Sequence, residues 1–266
     1  MTGQQTVFDA AQRDLWSALY AWRLWMMLAW NDIHQRYRRS LLGPLWITLS
    51  MAVFITLLGV IYSRIFRIDL QSYLPFLTAG FVIWGLISQV INESCSAFQE
   101  GERIIKQIRL PYGLHVFRVV WRNVIIFLHT IVIFIPVALL FHVQLGFTIF
   151  LAVPGLILLL ANLSWIALTL AILAARFRDM TQIVATVTQI LLFATPIMWP
   201  VSTLDGATYI AEINPVYHFI ELVRAPLLGN APLLHSWVVA VVALGIGSAF
   251  SLMLLHRASK RIVFWV

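Results

Sequence analysis

Residues 36–46 read RYRRSLLGPLW, and the stretch that follows from Leu45 to Ser63, LWITLSMAVFITLLGVIYS, contains no charged residue. Arg36, Arg38 and Arg39 therefore stand directly before a segment of about the 20 apolar residues that an α-helix needs to cross a bilayer. That junction decides the fold class, because the rest of the chain repeats its grammar of long apolar runs between short basic connections. Of the 266 residues, 61% are hydrophobic and 11% charged, and the mean hydropathy is +0.88; a soluble domain carries about 25% charged residues. The short alternating segments of a β-barrel are absent. The expectation is an all-α membrane protein.

Working outward toward the C-terminus, six spans are expected, at about 45–63, 74–95, 119–141, 147–175, 181–199 and 234–256. Toward the N-terminus, residues 8 to about 29 read as an amphipathic helix. Leu15, Leu19, Trp22 and Met26 recur at helical spacing, with Asp9, Arg13, Asp14, Ser17 and Arg23 off that stripe. Asp9 and Gln12 form a plausible capping pair. Trp16, Tyr20, Trp22, Trp25 and Trp30 suit a headgroup region, so this helix is expected to lie in the interface; packing against protein is the other reading. The opening residues MTGQQTVFDAAQRDLW lack the apolar core of a removable signal.

Charge gives the orientation. With both ends inside, segments 1–45, 96–122, 176–180 and 257–266 hold 15 of the 18 Lys and Arg residues, leaving Arg64, Arg67 and Arg224 outside. This is the positive-inside pattern, and it accounts for most of a net charge of +7 without nucleic acid. It also offers the plainest account of Arg36, Arg38 and Arg39, as topology signals. The other account is chemical. The planar guanidinium fork matches phosphate oxygens in pairs, whereas Lys is a point charge, and the choice here is Arg three times beside Tyr37.

Two connections are unusual. Residues 96–118, SAFQEGERIIKQIRLPYGLHVFR, carry a charged short helix at about 98–109, stopped before Pro111, and make a handle for a cytoplasmic partner. The outside stretch 196–232 is cut by prolines into pieces, especially 215–225, that read as short helices dipping into the outer leaflet. Such backbone survives at depth only when buried in protein or lining water, so the outer end is expected to carry a plug or gate.

No catalytic constellation emerges. Neither GxxxxGK[ST] nor GxGxxG is present, so neither familiar nucleotide loop exists. The seven histidines are scattered without ligand spacing, and the lone Cys95, which excludes an internal disulfide, reads as a small apolar filler. Within apolar segments the acidic residues reduce to Glu93, too few for a proton relay. The spans do carry uncharged polarity: Gln182, Thr186 and Gln189 at helical spacing on the fifth, and Ser88, Gln89 and Asn92 on the second, with Phe81 and Trp84 above. These either bond between helices or line a path whose amides and rings suit sugars.

The stretches RYRRSLLGPLW at 36–46, IKQIRLPYGLHVFRVVWRN at 105–123, ARFRDM at 175–180, TPIMWP at 195–200 and NPVYHFIELVRAPLLG at 214–229 together resemble the transmembrane subunit of ABC exporters of lipid-linked polysaccharide, most closely O-antigen exporter permeases. Teichoic acid exporters share the YRRS-like run, which capsule exporters usually lack. The resemblance implies a single transmembrane domain in the bacterial inner membrane, acting in transport and not as an enzyme. Two copies would pair with two copies of an ABC ATPase subunit, which would bind the ATP and Mg; this chain would bind no cofactor. Its partners would be that ATPase, membrane lipid and an undecaprenyl-diphosphate-linked glycan, with no nucleic acid. Residues 1–44 would form the interfacial helix and lateral gate, where Arg36, Tyr37, Arg38 and Arg39 receive the diphosphate. Loop 96–118, within the five-span block 45–199, would seat in the ATPase through Phe98, Glu100, Arg103, Ile104, Ile105 and Lys106. In the ARFRDM turn, Arg178 would be a second contact there, unless Arg176, Arg178 and Asp179 form an internal ion pair. Segment 200–233, with Trp199, Tyr217, His218, Glu221 and Arg224, would be the outer gate, followed by the last span 234–256 and tail 257–266. An integral-membrane enzyme acting on lipid-linked sugars is the competing class, but Asp32, Glu100 and Glu102 form no DxxD grouping.

Overall fold

The computed structural model describes residues 7–38, 43, 45–108, 110–204 and 207–266. Among them every regular element is a helix. The order is α1 (Val7–Tyr20), α2 (Trp22–Tyr37), α3 (Leu45–Phe66), α4 (Leu70–Ser94), α5 (Ala97–Glu100), α6 (Glu102–Gln107), α7 (Tyr112–Thr130), α8 (Phe134–Leu140), α9 (Ala152–Arg176), α10 (Met180–Ala194), α11 (Tyr209–Glu212), α12 (Pro215–Leu227), α13 (Leu234–Ala258) and α14 (Ile262–Trp265). A 3-10 turn joins α7 to α8, another leads into α9, and a third covers Val201–Leu204.

Five of these helical stretches are long and apolar enough to cross a membrane: α3, α4, Tyr112–Leu140, Phe147–Arg176 and α13. The helix expected at 181–199 is shorter. α10 has 15 residues, about 22 Å at 1.5 Å per residue, against a hydrocarbon thickness of about 30 Å. Its stop is local chemistry: Pro196 disfavours helical backbone at the residue before it, and Thr195 is extended at φ −101°, ψ 138°.

Burial separates the helices by role. In α4, 72% of the apolar window is buried, against 11% in α3 and 22% in α13, so α4 is the axis and the other two lie outside. The start of α4 is fixed by Asp69, whose carboxylate accepts the Gln71 amide N–H at 3.4 Å, an N-cap. Against α4 pack α7, α9 and α12. Glycines set two of the closest approaches. A Cβ on Gly155 would come within 2.2 Å of the Leu222 carbonyl, and one on Gly247 within 2.1 Å of the Trp165 indole. Asn162 then links α9 to α13, donating to the Ala240 carbonyl at 3.1 Å while accepting the Trp165 indole N–H at 3.0 Å. The interhelical bond from Asn162 to Ala240 contributes about 0.6 kcal/mol in a membrane.

The N-terminal region departs from the expected single helix. It breaks at Ala21, and α2 runs on to Tyr37. Its packed side agrees with the expected stripe at Leu15 and Met26, which are half-buried, and differs elsewhere. Leu19 and Trp22 are exposed, whereas Ala11, Ala18, Ala29 and Ile33 are buried. Small side chains let backbone approach closely, as at Gly113, where a Cβ would meet Leu15 and Ala18 within 3.0 Å. Asp14, expected off the stripe, caps α7: its two oxygens accept the Tyr112 and Gly113 amide N–H groups at 3.0 Å each, and its burial raises the carboxyl pKa. Trp25 meets Phe117 and Trp121, while Trp16, Tyr20, Trp22 and Trp30 point outward. The Asp9 side chain lies outside what is described.

The third span begins at Tyr112, not 119, so the preceding loop is shorter than expected. Its helix is two pieces, α5 and α6, divided at Gly101, where a Cβ would clash with the His115 ring at 2.4 Å. Tyr112 also donates its hydroxyl to the Ser259 carbonyl at 3.0 Å, which brings α1, the start of α7 and the end of α13 to one basic end of the bundle.

Candidate substrate-binding and coupling site

Arg36 and Arg38 sit where α2 ends, before the chain enters α3 at Leu45. A helix C-terminus attracts cations, which suits Arg36 and Arg38 there. The turn uses Gly43 in the left-handed region at φ +53°, open to glycine without strain. A cavity of about 340 Å³ lies in this corner, lined by Trp30, Ile33, His34, Tyr37, Arg38 and Gly43. Arg38 is exposed at its rim. The Tyr37 hydroxyl is shielded from water beside the Arg36 guanidinium, without a hydrogen bond of good geometry. Burial raises its pKa, and the neighbouring Arg36 charge opposes that shift. Arg39 and Pro44 lie outside the described residues.

Arg36 is not an isolated cation. Its Nη2 lies 3.0 Å from Glu93 Oε1, and Glu93 is the rim of a larger charge cluster that the sequence reading did not assemble. Arg122 Nη1 donates to Asp32 Oδ2 at 3.1 Å and Glu100 Oε2 at 3.0 Å, and its Nε donates to Glu93 Oε2 at 3.0 Å. Asn123 Nδ2 also donates to Glu93 Oε2, at 2.8 Å. Arg118 grips Asp32 with both arms of its fork, Nε donating to Oδ2 at 2.7 Å. Four elements meet here: α2 through Asp32 and Arg36, α4 through Glu93, α5 through Glu100, and α7 through Arg118, Arg122 and Asn123. The sequence signal was the i, i+4 pair Arg118 and Arg122 inside an apolar helix.

The residues expected to couple divide by burial. Phe98 is fully buried against Tyr112 and His115, so it anchors the segment and does not present it. Glu100 accepts the Ser96 hydroxyl at 2.8 Å in addition to Arg122. Ile104 and Ile105 are half-buried, Arg103 is exposed, and Lys106 pairs with Glu102 at 2.6 Å. The ion pair considered for the ARFRDM turn is not formed among the described residues. Arg176 instead packs over the rings of Phe177 and Trp265, and Arg178 and Asp179 are exposed.

The polar residues of the spans also separate. Phe81 and Trp84 are buried in the core. Ser88, Gln89 and Asn92 are half-buried, with Ser88 and Asn92 bonding backbone carbonyls of their own helix. Gln182, Thr186 and Gln189 are all exposed on α10, which packs inward through Val184 and Thr188.

At the opposite end, the prolines build a tight assembly. Asn214 caps α12 by accepting the Val216 N–H at 3.0 Å, with Pro215 at the first turn. Arg224 is buried, pairs with Glu221, donates to the Pro196 carbonyl at 2.6 Å and lies 4.2 Å over the Phe76 ring. Because the Glu212 carbonyl can only accept, His218 donates from Nε2 to it at 2.8 Å, leaving Nδ1 to take the Ser236 hydroxyl at 3.0 Å. Tyr73 donates to the Met198 carbonyl, and Trp199 donates to Phe193 O at 3.1 Å. Tyr217 stacks edge-on to His218.

Comparison with known proteins bears on all of these regions together. The chain is 25% identical over 244 residues to the O-antigen export system permease protein RfbA of Myxococcus xanthus, covering 87% of this chain and 92% of that one. It is 25% identical over 236 residues to a protein of the same name from Klebsiella pneumoniae, covering 85% and 88%. The ABC-2 type transporter family matches residues 23–228, from the start of α2 through the end of α12. On that match, the chain is a membrane-embedded transporter permease and belongs to the ABC-2 type transporter family.

Proposed function

We propose that the chain is the permease half of an ATP-driven exporter that carries an undecaprenyl-diphosphate-linked O-antigen polysaccharide from the cytoplasmic to the outer leaflet of the inner membrane. Two copies pair with two ABC ATPase subunits, which supply ATP binding and its Mg, and both termini of the permease face the cytoplasm. The observation that carries this reading is the cavity of about 340 Å³ at the α2–α3 turn, lined by Tyr37 and Arg38 and with Arg36 beside it. Guanidinium forks at a membrane boundary match paired phosphate oxygens, while Trp30 and Ile33 offer apolar surface to the carrier lipid.

The names of the relatives support an O-antigen cargo, and the exposed amides of α10 support a sugar-compatible path between two copies. Amides exchange hydrogen bonds with hydroxyls without trapping a charge. The half-buried α5–α6 segment, tied to α2 through Glu100, Arg122 and Asp32, supports a mechanical link between the ATPase and the gate.

The test is ATP hydrolysis by the reconstituted permease–ATPase pair, on addition of a lipid-diphosphate-linked glycan. Stimulation is expected, and its loss in an Arg38→Lys, Arg39→Lys double variant that keeps its topology. Wild-type stimulation in that variant removes the headgroup role and leaves the arginines as topology signals.

A further inference from the structure

The C-terminal tail is held more firmly than its length requires. α14 is four residues long, yet Ile262 is wholly buried, the Arg176 guanidinium lies 5.6 Å from the centre of the Trp265 ring, and Tyr112 holds the Ser259 carbonyl. On this fixed mount Phe264 is 85% exposed. It faces a groove of about 670 Å³ whose other wall is the end of α6 and the residue after it, Ile108, itself 57% exposed. Lys260 lines the same groove, and neither it nor Arg261 has a carboxylate within 4 Å among the described residues.

We propose that this groove is a composite docking site for the ATPase subunit, to which the C-terminal tail supplies one wall and the α6 segment the other. The inference rests on the exporter reading above and adds the partner's chemistry: an apolar side chain projecting from an acidic rim. Three features carry it. Phe264 and Ile108 make an apolar floor in a concavity. The cation Lys260 lines it and Arg261 follows next in sequence, and opposite charge at a rim steers association and fixes register. The groove is continuous with α6. A lipid surface fits less well, because flat headgroups leave the concavity unfilled.

The experiment places single cysteines by Phe264→Cys or Ile104→Cys in native membranes of cells making the exporter, with a cysteine–amine cross-linker. Background is low because Cys95, the lone native thiol, is buried. Both positions are expected to give the same adduct, identified by peptide sequencing as a protein carrying an ABC phosphate loop. An ATPase adduct from position 104 alone, with position 264 modified by a lipid-confined thiol reagent, overturns the tail inference and leaves the exporter reading intact. No ATPase adduct from either position overturns both. As a second measure, Phe264→Asp with Lys260→Glu should lower co-purification of the ATPase by at least about tenfold, the scale of one hot-spot side chain, at unchanged permease yield. Unchanged co-purification also overturns the tail inference.

Discussion

At the scale of single residues, Arg36 and Arg122 look alike in sequence and differ in what they do. Arg122 is 4% exposed and answers three carboxylates. Arg36 is 43% exposed and answers one. Removing one partner of a buried pair leaves an uncompensated charge, so Arg122→Met should destabilise by about 3–5 kcal/mol, visible as a lower detergent-solubilised melting temperature. Arg36→Ala breaks a half-exposed pair and should cost no more than about 1 kcal/mol. Export lost in Arg36→Ala at a near-normal melting temperature would therefore report binding and not folding. The two roles were not separable from sequence. Arg118 and Arg122 were counted as inside charges, and nothing local announces that Glu93, 29 positions before Arg122, closes the pair. The histidines tell the same story: His218 is scattered by spacing, yet held at both ring nitrogens by groups 6 and 18 positions away.

At the scale of elements, apolar length was read well where a helix is wrapped in lipid or core. It was read less well where small residues or prolines decide. The spans α3, α4, α9 and α13 fall close to their expected bounds. The N-terminal stripe was misplaced at Leu19 and Trp22 because burial there follows Ala11, Ala18, Ala29 and Ile33, and alanine carries a weak hydrophobic signal. Asp14 was likewise hidden, since its partners are backbone amides of Tyr112 and Gly113. Asp14→Ala should cost about 1 kcal/mol, the worth of an N-cap, measured as a lower melting temperature with Asp14→Asn retaining part of the stability. Gly155→Val should be harsher. The new side chain would enter the space of the Leu222 carbonyl, and overpacking costs about 1–3 kcal/mol, so lower yield of folded protein is expected. In contrast, Gln182→Leu or Gln189→Leu on the exposed side of α10 should leave yield unchanged and slow export. Loss of folded protein there would show that these amides hold helices together.

At the scale of the whole molecule, charge asymmetry predicts which side each connection faces, and the fold supplies an independent constraint. The N-terminal α1 and the C-terminal end of α13 both attach to Tyr112, one through Asp14 and the other through Ser259. Arg176, the last residue of α9, reaches Trp265 at that same end. α13 must therefore start at the far end, beside His218 and Ser236.

That shared anchorage has a consequence for parity. Polypeptide leaving Arg176 begins at one pole of the bundle and arrives at Leu234 on the other, so the intervening stretch makes a net traverse although its main helix has only 15 residues. The shortfall of about 8 Å, the hydrocarbon thickness less the rise of α10, is left to the non-helical turn at Thr195–Pro200, clamped by Arg224 and Tyr73, and the short helices after it. Alkaline phosphatase and green fluorescent protein fused after Arg176 and after Asn230 should accordingly report opposite compartments, and identical readouts from the two junctions would show that the chain doubles back instead.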